Sequence, residues 1–462
     1  MQRRRPVGKW IALCCGGLAA LAVVLALAGY GVVSAVGGRR AQRALARVKA
    51  SGAPTKWEEV IPPPVPDAEN AAVMYERGTA CVVLPSDPWA QVPLYHYAFG
   101  ERPKRAKVEN QVAAMLSVNA LALDYAARGA TRRKCRFDVD WRTPLSLSLS
   151  WPATRLRRLS VLVLAEAMFR ADQGDAPGAL REWSVDLAMA RGLGMSPTLI
   201  GQLTFYTYLD SAESSLRVLL QDARPNPEDC RRLERELAGL DVNRAFLKAL
   251  EVERVIDLKW VDLARSDYAA TAMPPASGRG PARLWEKSKR LALDGKYVFL
   301  SPLDRAAVLQ YWDQAIPLGR KPYRQIVGKM TGLVNLVRQI PDYAWVAQTK
   351  GAAPDLLEME ARVRDWAIAR LTLMRTALGL AAYRTQYGAY PASLGQLRRT
   401  MRWEVPQDPF SGRDLIYHRE GAGYRLYSLG MDLQDNGGRD LGIPPYDPRR
   451  PPGRDIVWRV ER

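Results

Sequence analysis

The two histidines of the chain, His96 and His418, are its simplest candidates for acid–base chemistry. A histidine that acts as a general base needs a group that orients it and a nucleophile within hydrogen-bond reach. Both histidines stand next to tyrosines, without an evident catalytic partner. We therefore expect both to be surface or packed side chains.

Motifs with a defined catalytic mechanism are missing from the sequence. It contains no Gly-x-Ser-x-Gly, no Walker A loop, no His-Glu-x-x-His, no Cys-x-x-Cys and no Gly-x-Gly-x-x-Gly. Helical carboxylates such as Glu358 and Glu360 are typical of a solvated helix face. We expect a protein that is not an enzyme, although carboxylates that meet only in the fold remain an open alternative.

An apolar run without charged residues extends from Trp10 to Val36. A helix rises 1.5 Å per residue, so this run would span about 40 Å, and the hydrocarbon core of a bilayer is about 30 Å thick. The run predicts a single transmembrane helix over residues 10–36. A signal peptide cleaved after Ala28 is the alternative, because Ala26-Leu27-Ala28 resembles a cleavage site.

The charges around this run predict the location of the protein. Residues 1–9 form a short basic tail, which is typical of a segment that stays in the cytoplasm. We expect an anchor in the inner membrane, with the body exported to the periplasm or the cell exterior. The net charge of +19 suits a surface near anionic lipid. Nucleic acid is an unlikely partner, because the basic residues are spread along the chain rather than clustered.

The middle of the chain is predicted to be helical. Residues 37–66 continue the first helix and end in a Pro-rich linker, and residues 67–352 form a helical body. The clearest periodicity runs from Thr154 to Leu220. Residues 174–180 resemble the turn of a tetratricopeptide-type hairpin, but no 34-residue repeat follows, so an irregular bundle is the alternative.

Three cysteines lie outside the N-terminal apolar run: Cys81, Cys135 and Cys230. An odd number allows at most one disulfide within this set. Cys81 with Cys135 is the candidate pair, and free or buried thiols are the alternative.

The sequence changes character in residues 353–462, where a long helix gives way to short strands. The helix closes at Gly388, before Tyr390-Pro391, and residues 406–412 read as a turn. Residues 415–417 and 424–428 flank a Gly-Ala-Gly turn, and residues 456–458 form a last strand. This pattern predicts a small α+β domain with an antiparallel sheet.

This ordered set resembles the globular domain of the major pseudopilin of type II secretion systems. The shared features are the helix ending in Tyr-Pro, the Pro-x-Asp-Pro turn at residues 406–409, the passage Tyr424–Asp432 and the closing Asp455-Ile456. The N-terminal run has neither a prepilin leader nor an internal glutamate. The resemblance therefore implies an envelope protein that carries this domain, rather than a subunit of the pseudopilus.

The resemblance also implies a calcium site in the loop after Tyr427-Ser428-Leu429-Gly430. Calcium binds six to eight oxygen ligands at flexible spacing. The candidate ligands are Asp432, Asp435, Asn436, Asp440 and Asp455. Arg454 stands where the family has a ligand, so Asp440 or Asp455 would substitute for it. The alternative is an acidic turn whose side chains cap local backbone groups.

These observations together predict a membrane-anchored envelope protein of structural or interaction type, associated with secretion or pilus-like machinery. Its helical body would bind protein partners, and calcium would stabilise its C-terminal domain. A helical-repeat scaffold unrelated to secretion is the second hypothesis.

Overall fold

The computed structural model describes residues 7–144, 153–266, 281–329, 331–339, 346, 356–439 and 455–460. The described chain is mainly α-helical, with one small three-stranded antiparallel sheet near its C-terminus. The predicted mainly α class is therefore confirmed. In chain order the elements are α1 (Val7–Ala50), α2 (Ala71–Ala80), α3 (Val92–Phe99), α4 (Arg102–Arg105), α5 (Glu109–Val118), α6 (Ala120–Ala130), α7 (Ala153–Asp172), α8 (Ala176–Gly194), α9 (Leu199–Asp222), α10 (Pro227–Ala238), α11 (Val242–Ser266), α12 (Pro281–Gly319), α13 (Tyr323–Ile326), α14 (Thr331–Arg338), α15 (Leu356–Tyr387), α16 (Leu394–Met401), β1 (Ile416–Glu420), β2 (Gly423–Ser428) and β3 (Ile456–Val460).

Two compact units divide the chain. Unit 1 comprises Met1–Val60, Glu253–Pro317 and Met330–Pro354, and unit 2 comprises Ile61–Val252, Leu318–Lys329 and Asp355–Arg462. Helix α11 contributes residues to both units. This division differs from the domain boundaries predicted from sequence, which stay a prediction.

Helix α1 changes its surroundings at Gly37, within unit 1. Beyond this point the buried residues are Gly37, Ala41, Ala44 and Val48. Their spacing of three and four residues places them on one face of the helix. Gly37, the first of them, lies against α12, where an added Cβ would be 2.7 Å from the backbone nitrogen of Leu303.

The half of α1 before Gly37 carries large apolar side chains that are exposed. Six of them are between 53 and 64% exposed, and a seventh, Val33, is 36% exposed; the six are Leu21, Val23, Val24, Leu25, Leu27 and Val32. A Cβ added to Gly29 or Gly31 meets no atom within 4 Å. These positions of the helix are therefore not covered by described residues.

None of the helices in the described part of the chain is both long and apolar enough to cross a membrane. The described residues therefore do not confirm the transmembrane helix predicted for residues 10–36. Within that range, the side chains of residues 10–16, 18, 19 and 22 lie outside the described part of the chain.

Three consecutive helices, α7, α8 and α9, form the centre of unit 2 and confirm the helices predicted over residues 154–220. Gly174, at φ +82°, makes the turn between α7 and α8. Asp175 caps α8 by accepting a hydrogen bond from the Gly178 backbone at 2.8 Å. The buried Trp183 ring donates to the Ala212 carbonyl of α9 at 2.9 Å, so the three helices share one core.

The long helix α15 packs on α9 and α10 in the same unit. Arg370 of α15 forms ion pairs with Asp210 and Glu213 of α9. Arg375 donates to Glu234 of α10 at 2.9 Å. The helix that opens the C-terminal segment is therefore fixed to the helical body of unit 2 by buried packing and by charge pairs.

The sheet has the order β1-β2-β3, and both pairs are antiparallel. Strands β1 and β2 form a hairpin around Gly421 at φ +58°, a conformation that glycine adopts without strain. Strand β3 pairs with β2 in the register Leu426 to Trp458, and both side chains are fully buried. The three strands predicted from sequence are confirmed.

Candidate functional site

The acidic loop, defined here as residues 430–438, follows β2 and is held in place by Asp408. The buried Asp408 carboxylate accepts hydrogen bonds from the Phe410 and Ser411 backbone, at 3.1 and 3.0 Å. Its Oδ1 also accepts from the Ser428 hydroxyl at 2.6 Å. Asp408 thus joins the predicted Pro-x-Asp-Pro turn to the residue where β2 ends and the loop begins.

The backbone of the acidic loop turns sharply. Gly430, Leu433, Gly437 and Gly438 all have positive φ, at 72, 61, 74 and 64°. Leu433 lacks the freedom of glycine, so its left-handed conformation must be stabilised by the surrounding loop. These turns direct the loop back towards Asp455 at the start of β3.

Four of the five predicted calcium ligands lie close together in the structure. Asp455 accepts from the backbone of Gly438 at 2.7 Å and of Asn436 at 3.1 Å. The Asn436 amide donates to Asp432 at 2.9 Å. Asp435 accepts from the Gly437 backbone at 2.8 Å. Asp440, the fifth predicted ligand, lies outside the described residues.

Burial and charge both affect ionisation in the acidic loop. Burial raises the pKa of Asp455, the backbone N–H groups of Gly438 and Asn436 lower it, and the neighbouring Asp435 and Asp432 raise it again. Burial and the bond that its hydroxyl donates to Asp435, at 3.1 Å, raise the pKa of Tyr427 to about 12. The loop therefore concentrates negative charge around Asp455.

The oxygen atoms of these residues are of the kinds that bind calcium. In the structure, however, their carboxylates accept hydrogen bonds from the loop itself. Calcium prefers carboxylate, amide and backbone carbonyl oxygens, and the loop supplies all three kinds. Within the described ranges, however, no three histidine, cysteine, aspartate or glutamate side chains are placed to hold a metal ion. The calcium site stays a prediction, and its residues are Asp432, Asp435, Asn436 and Asp455, with Asp440 untested.

The two histidines lie on helix α3 and strand β1. Both His96 and His418 are exposed, as predicted. His418, on β1, stacks on the Tyr427 ring of β2 with centroids 6.1 Å apart.

All three cysteines outside the N-terminal run are free thiols, so the candidate Cys81–Cys135 disulfide is not present. Burial raises the pKa of both Cys135 and Cys230 to about 12. These two thiols are therefore poor nucleophiles, because the thiolate is the reactive form.

Two buried polar groups of unit 2 were not identified from sequence. Asp186 is fully buried in α8, and its Oδ1 accepts from the Ser160 hydroxyl at 2.5 Å. Burial raises the pKa of Asp186 to about 7. The buried Arg105 donates to Asp172 and Asp222 at 2.6 and 2.8 Å. Asp186 lies on a helix whose apolar pattern indicates only a core, and Arg105 lies in the short basic helix Arg102–Arg105, where nothing in the sequence indicates burial.

A surface cleft of about 590 Å³ lies in unit 2, lined by Ile61, Arg136 and residues 138–142. Arg142 pairs with Asp140 across this lining at 2.6 Å. Its charges are of both signs and partly paired within the cleft, so it does not select a ligand of one charge.

No protein-family model, curated protein or solved structure matches this chain.

Proposed function

We propose that this protein is a membrane-anchored envelope protein of structural or interaction type. The apolar N-terminal half of α1 would lie in the inner membrane, and the body would be exported. The C-terminal segment would be a calcium-stabilised module like that of the pseudopilins, associated with secretion or pilus-like machinery.

The contrast within α1 carries the membrane part of the proposal. Exposed aliphatic side chains cost about 25 cal/mol per Å² in water, and lipid removes that cost. The described half before Gly37 exposes seven large aliphatic residues, while Ala41, Ala44 and Val48 beyond it are buried. A segment that is apolar on all described faces, joined to one packed on a single face, is the pattern of a helix that leaves a bilayer.

The order of elements supports the C-terminal part of the proposal. Helix α15 ends at Tyr387, the buried Asp408 turn and the β1–β2 hairpin follow, and the acidic loop returns to Asp455. The resemblance in sequence implies this same order. Calcium would bind the folded loop and not the unfolded chain, so it would add stability rather than catalysis.

Protease accessibility tests this proposal directly. The full chain is expressed in a bacterium, and intact spheroplasts are treated with protease, with a cytoplasmic protein as the internal control. The proposal predicts that the body is digested while the control stays intact and that a short N-terminal fragment remains with the membrane. Digestion of the body only after lysis would contradict export.

A second candidate function is a scaffold for protein partners, favoured by large apolar side chains that unit 2 exposes. Trp89 is 82% exposed, and Val83, Val118 and Leu121 are each more than half exposed. Asn119, between the last two, exchanges two hydrogen bonds with the Val83 backbone, at 2.7 and 2.8 Å, so these aliphatic residues are neighbours.

Crosslinking in membranes separates the two functions. Wild-type chain and a Trp89→Ser variant are crosslinked in native membranes, purified, and their bound proteins identified. Secretion components that are lost from the variant would support the first function, with Trp89 as a contact. Partners unrelated to secretion that are lost from the variant would support the scaffold.

A further inference from the structure

Helices α1 and α12 run side by side in unit 1 and point in the same direction. Three contacts follow each other along both helices. The Tyr30 and Phe299 rings lie with centroids 6.0 Å apart, Gly37 approaches Leu303, and Arg47 pairs with Asp313 at 2.8 Å. The residue numbers rise together in both helices, so the two helices are parallel. The three contacts mark successive heights along them.

The Tyr30–Phe299 contact lies in the apolar half of α1, seven residues before Gly37. At this level α12 exposes Val298 and Phe299, by 39 and 36%. We call Tyr30, Val298 and Phe299 the apolar collar. A tyrosine ring has an apolar body and a polar hydroxyl, and such rings are enriched where membrane meets water.

Basic side chains follow the collar on the side of the packed half. Arg39, Arg40 and Arg43 of α1 are all exposed. Arg39 is nine residues from Tyr30, or about 14 Å along the helix axis, and a long arginine side chain can extend back towards the membrane. This position suits contact with lipid phosphates, which attract arginine.

The sequence of α12 places this helix at the membrane surface rather than inside the bilayer. From Arg283 to Lys296 it carries seven charged residues, and charged side chains are costly in hydrocarbon. Pro302 lacks a backbone N–H and is a site where a helix bends easily, three residues after Phe299. The part of α12 before the collar can therefore lie along the bilayer surface while the rest follows α1.

We propose that the apolar collar contacts the headgroup layer of a phospholipid bilayer, so that α12 as well as α1 touches the membrane. This inference rests on the proposed membrane anchor. It adds a second contact with the lipid, which fixes unit 1 at a defined height above the bilayer. The alternative occupant of the collar is another protein chain.

Two fluorescent probes on one helix test the collar. Val298→Cys and Gln310→Cys, both at exposed positions of α12, are made in the full chain and labelled with the fluorophore NBD. Gln310 lies twelve residues from Val298, about 18 Å further from the proposed bilayer. The parent chain, labelled in parallel, gives the background from native thiols. Each protein is reconstituted into vesicles of phosphatidylethanolamine and phosphatidylglycerol.

Two quenchers, one in the lipid and one in the water, report the position of each probe. The inference predicts that lipid with a nitroxide near its headgroup quenches the Val298 probe several-fold more than the Gln310 probe. It also predicts that aqueous iodide quenches the Gln310 probe more. Equal quenching of both probes would overturn the inference. Protection from iodide without quenching by the lipid would overturn it too, because a protein then covers the collar.

Flotation of the same vesicles separates this inference from the proposed function. If the chain floats with the vesicles while the two probes behave alike, the anchor stands and the collar is wrong. If the chain does not float, the proposed membrane anchor itself fails.

Discussion

The two halves of helix α1 are built from similar apolar residues but have opposite surroundings. After Gly37, small and branched residues on one face are buried against described residues of unit 1, and Arg47 pairs with Asp313. Before Gly37, larger residues such as Leu25 and Val32 are more than 60% exposed. Apolar composition alone therefore does not decide whether a segment packs within the chain. The pattern of charges decides it, because Arg39, Arg40 and Arg43 leave a single apolar face only in the second half.

The same substitution at two neighbouring alanines should separate the buried face from the exposed one. Ala44 is 5% exposed and Ala46 is exposed. Ala44→Asp buries a carboxylate in the packed face of α1, and we expect it to lower the free energy of unfolding by more than about 4 kcal/mol. Ala46→Asp should change it by less than about 0.5 kcal/mol. Thermal unfolding followed by circular dichroism measures both, and equal melting temperatures would refute the buried face.

Aspartate in the first half should affect membrane insertion instead of folding. Val24 is 59% exposed, so Val24→Asp should leave the melting temperature of the body unchanged. In a bilayer an aspartate near the helix centre costs about 2.5–3.5 kcal/mol, so the fraction of chain in the membrane should fall. Fractionation of cells that express Val24→Asp or Ala46→Asp measures this. A melting temperature lowered in Val24→Asp would place this half inside the protein core.

Two adjacent glycines should show where the packing begins. A Cβ at Gly37 would meet the Leu303 backbone, whereas a Cβ at Gly38 meets no atom within 4 Å. We expect Gly37→Ala to destabilise the protein by about 1–3 kcal/mol, since backbone atoms yield little space. Gly38→Ala should stabilise it by up to about 1 kcal/mol, because alanine favours helix more than glycine. Denaturant unfolding of both variants gives the comparison, and a neutral Gly37→Ala would remove the close approach of α1 and α12.

The acidic loop differs from the first half of α1 because its groups are charged rather than apolar. Its carboxylates already accept backbone hydrogen bonds, so an added cation should bring a smaller gain than lipid brings to α1. With a dissociation constant near 1 mM, 10 mM calcium would add about 1.4 kcal/mol of stability. The melting temperature of the full chain with and without calcium measures this, and magnesium is the control. Asp432→Asn should abolish the gain.

The pH dependence of the calcium effect follows from the raised pKa of Asp455. In the native state this carboxyl holds its proton to a higher pH than in the unfolded chain. Its contribution to stability is therefore largest at low pH and declines as pH rises through the raised pKa. Calcium should offset that loss, so its effect should grow with pH over this range. A calcium effect that is constant across it would exclude Asp455 as a ligand.

The sequence predicted elements best where local chemistry sets them. The turn at Gly174, the end of α15 at Gly388 and the β1–β2 hairpin depend on glycine, which alone accepts positive φ easily. The three strands were predicted from the two short segments that flank the Gly-Ala-Gly turn and from residues 456–458.

Tertiary contacts set the boundaries that the sequence did not predict. Within the helical body predicted over residues 67–352, α2 begins only at Ala71, because Asn70 caps it while also accepting a hydrogen bond from the Arg136 backbone at 2.8 Å. Helix α12 begins at Pro281 and runs to Gly319. Pro302, a usual first-turn residue, lies inside α12 instead.

The residues of the candidate site could be named from the sequence, but the contacts that position them could not. The resemblance implied Asp432, Asp435 and Asn436 as ligands. The sequence placed Asp408 in a turn but did not predict that it positions β2 through Ser428. That contact joins residues 20 apart in the chain, and only the folded backbone brings them together.

The most direct test of the membrane anchor is alkaline carbonate extraction of membranes that contain the full chain, followed by the intact mass of the retained protein. A matched chain that begins at Gly37 is the control. The account predicts that the full chain stays with the lipid, floats with it on a density gradient and keeps residues 1–36, while the control is released. Release of the full chain by carbonate, or a mature protein that begins after Ala28, would contradict it.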